Sequence, residues 1–197
     1  STWQVADICS GTCSSYATSY TVMGTRLYFT ATDGISGAEM WAYETTNDSV
    51  WMVVDLNPGW DDGYCMWRVP IGSQLYCLGF NGTTFDLWVH DTYNGSTWMA
   101  AATNPSGNSL YTGVDEGFGI AIGNRLYFMA NDGINGFELW LHETTCGCTR
   151  LIADINSNGN SEPYNFFIND NRLYFIANDG IDTQLYMMEI EDTITYE

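Results

Sequence analysis

Acidic side chains are the first candidates for chemistry in this sequence. Asp33 opens the stretch Asp33-Gly-Ile-Ser-Gly-Ala-Glu-Met-Trp41, which also holds Glu39, and Asp55 follows in Val53-Val-Asp-Leu56. The trio returns as Asp132, Glu138 and Asp154, and in part as Asp179 and Asp7, with Gln184 where the Glu would stand. Carboxylates are hard oxygen ligands, and a trio gathered at one end of a strand pair could hold Ca2+. The alternative is turn chemistry, in which Asp-Gly fixes a hairpin and the carboxylate accepts the loop's own amides.

Other reactive residue types give less. His90 and His142 occupy matching places in Trp88-Val-His-Asp91 and Trp140-Leu-His-Glu143, and no Ser or Cys nucleophile motif accompanies either, so no catalytic triad is expected. A carboxylate pair for glycoside hydrolysis would stand alone, whereas these acids repeat, so no enzyme activity is expected. Trp41, Trp88, Trp140 and Tyr186 share one repeated position and read as core, with sugar stacking as the alternative. Trp60, beside Asp61 and Asp62, and Trp3 fall outside that pattern and are candidate partner contacts.

The bulk composition narrows the partners. The 197 residues carry 24 Asp and Glu against five Arg and no Lys, a net charge of −19. Nucleic acid and anionic membrane surfaces both require cationic side chains, so neither is an expected partner. No uncharged apolar run approaches the roughly 18 residues of a membrane-spanning helix. With 45% hydrophobic residues the chain can build a substantial core.

Six cysteines fall as close neighbours: Cys9 with Cys13, Cys65 with Cys77, and Cys146 with Cys148. Neither histidine is spaced from a cysteine pair as a zinc site requires. Local disulfides are expected instead, with Cys65 and Cys77 flanking the Ile71-Gly72 turn and the tight Cys146-Gly-Cys148 bridge strained. Sequons for N-glycosylation stand at Asn47, Asn81 and Asn94. Cysteines, sequons and the opening Ser1-Thr2-Trp3, without Met or apolar leader, lead to the expectation of a secreted, mature protein open to glycosylation.

The elements that must position these residues are repeats. Gly24-Thr-Arg-Leu-Tyr-Phe29 recurs as Gly72-Ser-Gln-Leu-Tyr-Cys77, Gly123-Asn-Arg-Leu-Tyr-Phe128 and Asp170-Asn-Arg-Leu-Tyr-Phe175. From Arg26 to Gln74, Arg125 and Arg172 the spacing is 48, 51 and 47 residues. Within a copy, short runs of β-branched and aromatic residues alternate with Gly, Asn and Asp turns. For the third copy this predicts strands near 118–122, 125–130, 138–143 and 149–154. Four four-stranded copies predict an all-β, four-bladed β-propeller occupying 1–197 as one domain. The blades are placed at 14–56, 64–103, 117–155 and 164–197; a β-sandwich would not require such likeness among the copies.

The ends carry a further expectation. Trp3-Gln-Val-Ala-Asp-Ile8 matches the last strand of a copy, so residues 1–13 are read as a closing strand and loop for the fourth blade, within one chain or between chains. Thr193-Ile-Thr-Tyr-Glu197 competes for that slot, making Ile194 and Tyr196 candidate contacts and leaving one strand to add to a neighbouring subunit.

The motifs D-G-x-x-G-x-E-[LM]-W and R-L-Y-F-x-A-[NT]-D-G resemble the ELWxxDGT repeats of secreted and surface proteins. The resemblance covers nearly the whole chain and is strongest in copies one and three. It departs after the Trp, where Tyr43-Glu-Thr-Thr46 and His142-Glu-Thr-Thr145 stand in place of Asp-Gly-Thr. It implies a β-propeller-like fold and secretion, and no particular activity. The expected function is a self-assembling subunit of an extracellular filament, appendage or surface layer, stabilised by calcium. The alternative is a glycan-binding propeller.

Overall fold

A computed structural model of the chain describes residues 2–110 and 118–190. Among these, the secondary structure consists of fifteen β-strands arranged as four antiparallel meanders. The first sheet holds β1 (Thr18–Met23), β2 (Arg26–Thr32), β3 (Ala38–Glu44) and β4 (Ser49–Val54). The second holds β5 (Tyr64–Ile71), β6 (Gln74–Phe80), β7 (Phe85–Asp91) and β8 (Thr97–Ala101). The third holds β9 (Gly119–Ile122), β10 (Arg125–Asn131), β11 (Phe137–Glu143) and β12 (Cys148–Ala153). The fourth has three strands, β13 (Tyr164–Asn169), β14 (Arg172–Asn178) and β15 (Thr183–Glu189).

The repeat seen in the sequence is a repeat of register. Phe29 pairs with Trp41, Cys77 with Trp88, Phe128 with Trp140 and Phe175 with Tyr186. In the first three sheets the ladder between the third and fourth strands is shifted just before the Trp. A one-residue slip would turn every inward side chain to the opposite face, so this register is fixed by burial. The third copy's four strands lie within a residue or two of their expected places.

The chain divides into two compact units, Ser1–Ala102 and Thr103–Glu197, each holding two sheets. In the first, Tyr28, Met40 and Ala42 pack with Leu75 and Cys77 around Leu56 and Cys65. In the second, the equivalent Tyr127, Leu139 and Leu141 pack with Leu173, Phe175 and Ala177. Each fully buried aliphatic or aromatic side chain contributes about 1.5–3 kcal/mol to folding.

The cysteines meet in the three expected pairs, with Cα–Cα distances of 5.3 Å (Cys9 and Cys13), 5.1 Å (Cys65 and Cys77) and 5.2 Å (Cys146 and Cys148). All lie inside the range a disulfide spans. The first pair packs against the turn at Gly34, between β2 and β3.

The opening segment differs from expectation. Residues 2–8 form no strand, and Trp3 and Val5 stand 75% and 52% exposed. An extended segment becomes a strand only when a ladder partner takes its N–H and C=O groups, and these residues have none among those described. Ile194 and Tyr196 lie outside the described residues.

Candidate functional site

The repeated acidic motif is a device for holding backbone. Asp33 Oδ1 accepts the amides of Ile35 and Ser36, both at 2.8 Å. Asp132 does the same for Ile134 and Asn135, and Asp179 for Ile181 and Asp182. In the second sheet Asn81 takes over, accepting Thr83 and Thr84. Partial burial pushes Asp33 and Asp132 upward, but these amides hold both carboxyl groups below their usual range. Donation by Ile181 and Asp182 lowers Asp179 in the same way.

Glu39 and Glu138 sit at the start of β3 and β11 with no solvent exposure. Glu39 Oε2 accepts the amide of Leu56 at 3.0 Å, and Oε1 that of Gly63 at 2.5 Å. Glu138 accepts Ile155 N at 2.7 Å, Ser161 N at 3.0 Å and Ser161 Oγ at 2.6 Å. These donors belong to the connector entering the next sheet of the same unit. Burial pushes Glu39 up to about 8, with the two amides pulling back and the charges of Asp55 and Asp62 adding to the rise. Glu138 is raised by burial too, against the bonds from Ser161 and Ile155.

The second glycine of the motif completes the clamp. Gly37 has φ +73°, and a Cβ there would run into the carbonyl of Asp61; Gly136 has φ +83°, and a Cβ would meet Gly159 O at 2.6 Å. Both conformations are strained for any residue with a side chain. The adjacent amides are held from the connector, Ala38 N by Asp62 Oδ1 at 2.7 Å and Phe137 N by Asn160 Oδ1 at 3.0 Å. In the second and fourth sheets the turn is one residue shorter and has no counterpart of this glycine: Phe85 and Thr183 match Ala38 and Phe137 in register, and Asp86 and Gln184 stand in place of the Glu.

Among the described residues, no three His, Cys, Asp or Glu side chains come together as a metal site. Asp55 lies near Glu39, with one buried carboxylate oxygen that has no hydrogen-bond partner. Asp154 and Asp7 are exposed. The loop carboxylates of Asp33, Asp132 and Asp179 accept backbone amides, which is turn chemistry.

The histidines are a matched structural pair. His90 Nδ1 lies 2.9 Å from Thr97 Oγ1 and His142 Nδ1 2.8 Å from Thr149 Oγ1. Both are buried, and burial lowers both pKa values. Of the repeated aromatics, Trp140 is buried and Trp41, Trp88 and Tyr186 half-buried. The three indole N–H groups are buried without a hydrogen-bond partner. Trp60 is 84% exposed. Asn47 and Asn94 are exposed on turns, whereas Asn81 is half-buried in its own turn.

Two features were missed in the sequence. Arg68 of β5 is only 6% exposed, donates to Ser19 O and to Thr30 Oγ1, and leaves its Nε without a partner. Burial pushes it down to about 9. Two register shifts in β5 and positive φ at Tyr64, Cys65 and Trp67 accompany it. The available signal was an Arg within an apolar strand rather than beside a turn. The other is a half-open cavity of about 170 Å3 in the second unit, which Arg125 and Arg150 line.

No family model matches the chain, and no curated protein matches it. Solved structures do. A putative TolB from Agrobacterium tumefaciens superposes with a TM-score of 0.56 at 13% identity, over 85% of this chain and 58% of its own. TolB from Acinetobacter baumannii gives 0.53 at 8%, over 84% and 38%. The β-propeller domain of the Trilobed protease from Pyrococcus furiosus, described as having an open velcro topology, gives 0.53 at 10%, over 91% and 55%. The likeness is one of fold. The chain is all-β with four antiparallel sheets, its structural neighbours include β-propeller domains, and it spans between 38% and 58% of the length of these three structures.

Proposed function

We propose that this chain is an extracellular structural subunit, its four sheets acting as propeller blades, that assembles with further copies of itself. One observation carries the reading. At two matched positions on the third strand, Met40 and Ala42, Leu87 and Val89, and Leu139 and Leu141 are all buried in the first three sheets. In the fourth sheet the same positions are Leu185 and Met187, which are 67% and 50% exposed. Among the described residues that sheet also has one strand fewer, so within them β15 offers both an edge with no strand beside it and an apolar face.

In the first unit this face is covered by the next sheet, so the complement of the exposed one is another sheet of the same kind. Contact between unlike faces of identical subunits is head-to-tail, and continues as a filament unless it closes into a ring. The opening segment 1–13 of a neighbouring chain supplies a strand for the edge, and its own chain's segment would close the blade instead. The three cysteine pairs favour an oxidising compartment, and Asn47 and Asn94 are accessible to glycosylation.

Net charge of −19 opposes association of like subunits, and salt screens that repulsion. Electron microscopy and light scattering at low and high ionic strength test the proposal. Assemblies that grow with salt and vanish in Leu185→Glu are expected; monodisperse monomers in every condition overturn it. Trp60 favours a second reading, a glycan contact on the connector between the first two sheets. Binding on a glycan array that is lost in Trp60→Ala would establish it.

A further inference from the structure

The first and third sheets are equivalent strand by strand, and one difference between them stands out. In the first, Arg26 Nε lies 3.2 Å from Glu44, its Nη1 donates to Thr92 O at 3.2 Å, and its guanidinium sits 5.6 Å over the ring of Trp51. In the third, Arg125 and Glu143 repeat the ion pair, but the residue matching Trp51 is Arg150. A second guanidinium thus takes the place of an indole. Arg125 Nε and Arg150 Nη2 approach the same atom, Glu143 Oε1, at 3.9 and 3.7 Å.

The cavity of about 170 Å3 opens where these arginines stand, between the third sheet and β15. Tyr127, Leu141, Ile152 and Met188 line it, and Glu189 lines it too while lying 3.5 Å from Arg172. Three of the chain's five cations are therefore in or beside one cavity of a protein with 24 acidic residues. Burial raises the Tyr127 hydroxyl pKa, and the charges of Arg125 and Arg150 both work against the rise, which places both guanidiniums close to that hydroxyl.

We propose that this cavity binds a small oxyanion, a carboxylate, sulfate or phosphate group attached to a compact body with an apolar face. Two guanidiniums sharing one carboxylate keep donors to spare, and planar guanidinium forks suit two-oxygen anions. The apolar lining suits the C–H face of the ligand's body. At about 30 Å3 per water molecule the space equals some five or six waters, which limits the body to about one sugar ring. The two carboxylates at the cavity, Glu143 and Glu189, are each paired with arginine, three guanidiniums against two acids, and the protein's more distant negative charge does not forbid binding. At physiological salt, charges more than about 8 Å away are largely screened, whereas contacts inside the cavity are not. The proposal uses the second unit alone and stands apart from self-assembly.

Calorimetric titration with sulfate, inorganic phosphate, glucuronate and neutral glucose tests it and separates the sources of the anionic group. Arg150→Trp recreates the arrangement of the first sheet, and Arg150→Ala serves should the indole misfold, with circular dichroism as the check on folding. Saturable binding of at least one oxyanion is expected, with no binding of glucose. Affinity should fall about tenfold or more in either variant, the effect of losing a charge-assisted hydrogen bond. Glu143→Gln, which removes the competing carboxylate, should tighten binding. No saturable binding of any oxyanion, equal binding of glucose, or unchanged affinity in folded Arg150 variants would overturn the proposal.

Discussion

Ser161 gives Glu138 two hydrogen bonds, one from its amide at 3.0 Å and one from its hydroxyl at 2.6 Å, across 23 residues of sequence. The bonds fasten the connector entering the fourth sheet to β11, the strand into which the D-G-x-x-G-x-E turn of the third sheet leads. The first unit repeats the contact, with Gly63 in place of Ser161 and Glu39 in place of Glu138. The motif is therefore a clamp between successive sheets of one unit.

Removing the acceptor leaves a buried donor unsatisfied. Glu138→Ala should destabilise the protein by about 2–3 kcal/mol, because Ile155 N loses its partner and Ser161 N and Oγ keep only Phe137 O. Ser161→Ala removes one bond and should cost about 1 kcal/mol. Urea unfolding measures both, and equal losses in the two variants would contradict the clamp.

The same carboxyl groups set a pH dependence. Glu39 stays protonated in the fold up to about pH 8, while the unfolded chain ionises it near 4.5. The folded state holds the extra proton across that window, so stability falls as pH rises through it. His90 and His142 act with the opposite sign: burial lowers them from 6.5, so their contribution grows as pH rises to 6.5 and is constant above it. Between pH 6.5 and 8 the urea midpoint should therefore decline, and more shallowly in Glu39→Gln. A slope identical in the variant would assign the decline to other groups.

The clamp also needs its glycine. Gly37→Ala and Gly136→Ala each force a side chain into a positive-φ conformation and against connector backbone. Each should lower stability by about 2–4 kcal/mol. The fourth sheet's shorter turn has no such glycine; Thr183, which matches Phe137 in register, is exposed, so Thr183→Ala should change little. Thermal melts of the three variants check the contrast.

Chelation discriminates between the two roles of the acidic loops. Asp33, Asp132 and Asp179 each accept two loop amides, and a calcium ion would have to compete with these donors. EDTA is expected to leave the melting temperature unchanged. A marked fall would identify the carboxylates as ion ligands.

What the sequence determined by itself was the local pattern and its repetition. Strand period, turn residues and the pairing of Leu-Tyr-Phe with Glu-Leu-Trp segments depend on neighbours along the chain, so four sheets and their register were legible. Cysteine pairing was legible for the same reason, since each pair spans one loop or hairpin. Tertiary structure decided what the acids do. Asp33 and Glu39 share one motif, yet one caps its own turn while the other crosses to a connector, and only packing shows that Glu39 is buried. The pairing of Arg150 with Arg125 was likewise beyond the sequence, because a side chain's partner across a ladder depends on register and on the sheet packed above it. The segment 2–8 makes the same point in reverse: strand-like composition supplies the propensity, and only a free edge in the right place supplies the strand.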